Sequence, residues 1–178
     1  MKKLIFVLAF CFVWSGLESQ TLSVRSTFTK AATSTVYSAN DVGSATGGAL
    51  IEFAGMAKNL GGSGLIVGAI LDTDTVNVAN ATFDLYLFAD TTSITAIADN
   101  GVYTMLSGNN GKRIAKISFS LSTGGTGSTA AISDVNGFLT SYRCATYSKS
   151  LFGMLVTTGA YQGKLSGVFG VTLKYLRD

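Results

Sequence analysis

Asp72 and Asp74, separated by Thr73, form the one closely spaced carboxylate pair that stands outside the strand-like segment TFDLYLFAD. Oxygen-rich loops of this kind can hold calcium, which takes about six to eight oxygen ligands, and the rest of that set is not evident nearby. The pair could equally be the acid and base of a glycosidase, but spacing along a chain does not fix their separation in space. At a β-turn, two carboxylates read first as turn formers.

The chain contains no histidine. That removes Ser-His and Cys-His catalysis and every imidazole-ligated metal site. Cys11 lies in a leading apolar run, so removal of that run leaves Cys144 as a single thiol and no disulfide framework. Cys144 sits in SYRCATYS, where Arg143 projects to the opposite strand face. With no charged neighbour to favour the thiolate, it reads as a small buried hydrophobe.

The glycine clusters fail as phosphate cradles. Only two residues separate Gly108 from Gly111 in front of Lys112 and Arg113, where a P-loop requires four, and a strand follows. Gly62, Ser63 and Gly64 miss the dinucleotide spacing and also lead into a strand. Tyr142, Tyr147, Phe152 and Tyr161 make the C-terminal third aromatic, a pattern that core packing mostly explains and a contact surface would share. No catalytic, cofactor-binding or metal-ligating residue is assigned, and the chain reads as no enzyme.

The elements that would carry any site are strands. Thr82 to Asp90 alternates strictly, with Phe83, Leu85 and Leu87 on one face and Asp84, Tyr86 and Phe88 on the other. One face is fully apolar and the other half aromatic, so this strand should be central, with something packed over each side. Across 178 residues there are 21 glycines and no proline, with 47% hydrophobic and 13% charged residues, which suits one core built of many short strands. The net charge of +3 is small and dispersed, and excludes a nucleic-acid surface.

Met1 to Gln20 has the parts of an export signal: Lys2 and Lys3, the uncharged run Leu4 to Trp14, then small and polar residues to Ser19, where cleavage is expected. The run is short for a membrane span, which needs about 20 apolar residues. Any membrane contact is expected only through this leader. Residues 21–178 then form one domain.

Further strands are expected at Leu22 to Phe28, Ala49 to Phe53, Leu65 to Leu71, Ile114 to Leu121, Phe138 to Tyr147, Leu151 to Thr157 and Leu165 to Leu176, with Val102 to Leu106 extended or a single turn. Leu65 to Leu71 is a near-continuous apolar run, the pattern of a buried strand. Asn110-Gly111 signals a tight turn, and Thr123 to Thr129 a glycine-serine-threonine loop. The expected fold is all-β: an antiparallel β-sandwich, jelly-roll-like, of about eight strands. Several strands are apolar on their second face too, which points to packing on a partner.

Six pieces carry a resemblance: Phe28 to Gly43 (FTKAATSTVYSANDVG), Asn59 to Ile66 (NLGGSGLI), Phe83 to Phe88, Asp99 with Asn100, Leu151 to Tyr161 (LFGMLVTTGAY) and Val168 to Leu173. In this order, over most of Thr27 to Asp178, they resemble tailed-bacteriophage virion structural proteins. The resemblance implies a non-catalytic β-sandwich that decorates a capsid or serves as an auxiliary head subunit. It further implies a homo-oligomer that contacts the major capsid protein or other virion proteins. Ala31 stands where that family commonly has proline, and the export-like leader is foreign to a virion assembled in the cytoplasm. An exported cell-surface or periplasmic β-sandwich binding module is the alternative, with the chain secreted or periplasmic instead of in the virion.

Overall fold

A computed structural model describes residues 20–30, 36–45, 48–75, 78–92, 94, 97–104, 112–123 and 129–178. The leader up to Ser19, the Gly108 to Gly111 turn and most of the Thr123 to Thr129 loop lie outside them.

Among the described residues ten strands run in chain order: β1 (Leu22–Thr29), β2 (Val42–Gly43), β3 (Ile51–Phe53), β4 (Ser63–Thr73), β5 (Thr82–Phe88), β6 (Arg113–Ser120), β7 (Ser122–Thr123), β8 (Ala131–Arg143), β9 (Leu151–Thr157) and β10 (Val168–Arg177). They form two antiparallel sheets, an all-β sandwich. The first sheet has the order β1-β10-β4-β8-β7 and the second β2-β9-β5-β6, with β3 also paired to β9.

Period-two patterning decides which side chains meet between the sheets. From the second sheet come Phe83, Leu85 and Leu87 of β5, with Ile117 and Phe119 of β6, all essentially buried. Opposite them lie Ile66, Ala69 and Leu71 of β4, with Phe169, Val171 and Leu173 of β10. Phe83 packs edge-on against Phe169 at 5.8 Å between ring centroids, so the two sheets meet through aromatic contact. Two tyrosines on the first sheet also reach the Gly55–Met56 turn: Tyr142 donates to the Met56 carbonyl at 2.6 Å and Tyr175 to the Gly55 carbonyl at 3.2 Å.

The chain changes sheets at Leu121, which is buried between β6 in one and β7 in the other. Corners of this kind hold one edge of a sandwich together.

β5 is central, between β9 and β6, and is covered on both sides. Its outer cover is the chain itself. Ile94 and Tyr103, with Ile97 beside them, fold over Phe88, Met154, Val156 and Val42 as a second, smaller core. The apolar second face that suggested a partner is therefore closed internally at this sheet.

Three expectations are corrected. β8 starts at Ala131, seven residues before the expected Phe138, because Ala131, Ser133 and Val135 supply an inward row of small side chains within a polar-looking segment. Leu165 to Gly167 is a turn, with Ser166 at φ 53°, so β10 starts only at Val168. β4 is buried on one face only, since Leu65 is 37% exposed and Val67 and Ile70 are half-buried on the outer side. Val102 forms a single bridge to Asp41, and no described segment continues it as a strand.

Candidate functional site

β6 and β8 are neighbouring edges of the two sheets. Near Leu121 they are held together by β7 and by the Ser120 N–H donating to Ser133 Oγ at 3.2 Å. Farther along they part. The opening is a cleft of about 330 Å³ lined by Lys116, Ile117 and Ser118 from β6 and by Val135, Phe138 and Thr140 from β8. Its floor is half apolar, so it suits contact with an extended or amphipathic group.

The polar wall is organised by Asp84 on β5. The strand register sets Asp84 opposite Ser118 and Tyr86 opposite Lys116. Lys116 Nζ lies 2.7 Å from one Asp84 oxygen, and the Ser118 hydroxyl donates to the other at 2.6 Å. The hydrogen bond to Asp84 holds the Lys116 ammonium above the usual lysine range, against a smaller opposing effect of burial. A charged ammonium cannot take a proton from Ser118. The trio looks like a nucleophile with its base but is a neutralised hydrogen-bonded set.

Asp72 and Asp74 are likewise engaged. Asp72 pairs with Arg25 at 2.6 Å across the outer face of the first sheet. Asp74 accepts from the Val168 N–H at 3.0 Å and faces Lys164 at 3.4 Å. The two carboxylates thus hold β1 and the entry to β10 in place. Among the described residues, no three acidic or thiol side chains gather as a metal site.

Cys144 is buried, its backbone N–H donating to the Gly62 carbonyl at 2.9 Å, and burial pushes its thiol above the ordinary range. It packs as a small hydrophobe. Gly61 has φ 69°, and a Cβ on Gly64 would strike the Leu176 carbonyl and the Tyr142 ring. That cluster is a turn followed by a close crossing of strands. Of the four C-terminal aromatics, Tyr142 and Tyr161 are core residues, Phe152 is half-buried and Tyr147 is 62% exposed.

Sequence reasoning missed one cluster because its members are far apart in the chain. The Tyr37 hydroxyl lies 2.6 and 2.7 Å from the two Asp99 oxygens, and the Ser44 N–H donates to Asp99 at 3.1 Å. The Tyr161 ring stacks on Tyr37 at 4.7 Å, and the buried Lys30 ammonium stands 5.0 Å from the Tyr37 ring centre. Burial pushes both phenols far above their ordinary range, reinforced at Tyr37 by its hydrogen bond to Asp99. Neither phenol ionises near neutral pH; the Tyr37 hydroxyl ties to Asp99, while Tyr161 contributes its stacked ring and its buried hydroxyl has no hydrogen-bond partner among the described residues.

No protein-family model matches the chain, and no curated protein matches it.

Proposed function

We propose that this chain is a non-enzymatic structural subunit of a phage virion, a capsid decoration or auxiliary head protein that works through contacts with copies of itself and with the shell. The observation carrying this reading is the strand order. With β1, β10, β4 and β8 in one sheet and β3, β9, β5 and β6 in the other, the chain crosses repeatedly between sheets. Such crossing supports a jelly roll, an architecture shared by viral capsid and lectin domains. The engaged state of Asp84, Lys116 and Ser118, and of Asp72 and Asp74, favours a surface that binds over one that reacts.

The signal-like pattern of Lys2, Lys3 and Leu4 to Trp14 favours a second reading, an exported bacterial cell-surface or periplasmic module. The cleft between β6 and β8 would then be its binding face. Mass spectrometry separates the two. Purified particles should contain the chain in many copies under the virion reading. Its absence from particles, together with a native N-terminus near Gln20, would establish the exported module instead.

A further inference from the structure

Exposed strand edges invite pairing with other chains, and folded proteins commonly guard them with short strands, bulges or charge. Three edges of this sandwich are guarded. β2 and β3 are only two and three residues long. β6 carries exposed Arg113 and Lys116. β8 is bent by a bulge at Gly137, where φ is 81°, and its beginning is covered by β7.

β1 is neither short nor bulged, and Ala45 bridges only Lys30, just past its end. Its eight residues keep unbroken register with β10, from Leu22 opposite Tyr175 to Thr29 opposite Val168. Its one charged side chain, Arg25, is tied back to Asp72 within the same sheet. Its inward side chains Leu22, Val24 and Phe28 are only half-buried, unlike Phe169, Val171 and Leu173 of β10 beside it.

We propose that the outward edge of β1 pairs antiparallel with β1 of a second copy, joining the two first sheets into one. Backbone alternation identifies the groups. The Lys30 N–H donates to the Gly167 carbonyl on the β10 side at 2.9 Å, so even-numbered residues turn toward β10 and Ser23, Arg25 and Thr27 turn outward. No described residue pairs with that outward stretch. A two-fold axis normal to the sheet keeps both inward faces on one side, which requires residues of equal parity to face each other.

The register is then narrowed by what each choice brings together. Centring on Arg25 sets two guanidinium groups face to face. Centring on Ser26 runs into the bridge from Lys30 to Ala45. Centring on Val24 avoids both: valine faces valine, Leu22 faces Ser26, and Ser23 exchanges backbone hydrogen bonds with Arg25 across the junction. This self-complementarity is why the occupant is a second copy and not an unrelated peptide. The proposal rests on the self-association in the proposed function but needs no virion.

Sedimentation of the full chain over a concentration series tests it. The wild type should pass from monomer to dimer mass. Ser23→Pro removes an outward donor from each copy without touching the β10 ladder. It should weaken the dimer by about tenfold or more while circular dichroism and melting of the dilute monomer stay unchanged. Ser23→Lys, which places like charges along the junction, should do the same if the proline variant folds poorly. A chain monomeric at every concentration, or a dimer indifferent to both variants, overturns the proposal. A monomer that is still abundant in purified particles would sink this edge and leave the virion reading standing.

Discussion

The outer faces of the two sheets begin from similar sequence and end differently. On the second sheet, Phe88, Met154 and Val156 point outward and are buried beneath Ile94 and Tyr103. On the first, Ile70 and Leu65 also point outward, yet they stay partly exposed among the ion pairs Arg25–Asp72 and Lys174–Asp134. Strand alternation supplies an outward apolar side chain in both places. What separates them is whether apolar side chains from a connecting segment cover the row, as Ile94, Ile97 and Tyr103 do over β5 and β9.

The largest effect should come from placing the same charge on each face. Met154→Lys buries an unpaired ammonium under the covering segment and should cost about 3 kcal/mol or more in chemical denaturation. Ile70→Lys on the other face should stay within about 1 kcal/mol. Equal losses would mean that the two faces do not differ as described.

A smaller contrast lies in the carboxylates. Asp84→Ala removes a buried acceptor from Lys116 and Ser118, and since Lys116 remains 45% exposed and hydrated, the loss should be about 1–2 kcal/mol. Asp72→Ala breaks a pair whose arginine is 51% exposed and should cost at most about 1 kcal/mol, a difference that shrinks in high salt. Melting at low and high ionic strength reads both.

The smallest effect concerns Tyr103, whose buried hydroxyl has no hydrogen-bond partner among the described residues. Tyr103→Phe should leave the melting temperature unchanged or raise it, with a gain of up to about 1 kcal/mol. A loss of stability would reveal a partner for that hydroxyl in the second core.

Sequence pattern revealed most of the first core, because Phe83, Leu85, Leu87, Ile117 and Phe119 alternate cleanly and alternation is a local property. It also marked the outer face of β5 as apolar. It did not reveal the cover, because Ile94, Ile97 and Tyr103 follow no period-two pattern and none of the three lies in a strand. The Asp84 trio was hidden for a related reason. It depends on the register between β5 and β6, and the long connection between them leaves that register open. The Tyr37–Asp99–Tyr161 cluster joins residues as many as 124 positions apart, beyond the reach of any local pattern.

The chain closes one sheet face itself, and the outward edge of β1 is the one proposed to pair with another copy. Amide hydrogen exchange in dilute and concentrated samples tests both halves together. Residues 97–104 should resist exchange with β5 and β9 at either concentration, while the outward amides of Ser23, Arg25 and Thr27 should exchange freely when dilute and become protected when concentrated. Rapid exchange across 97–104 beside a protected β5, or β1 amides indifferent to concentration, would contradict it.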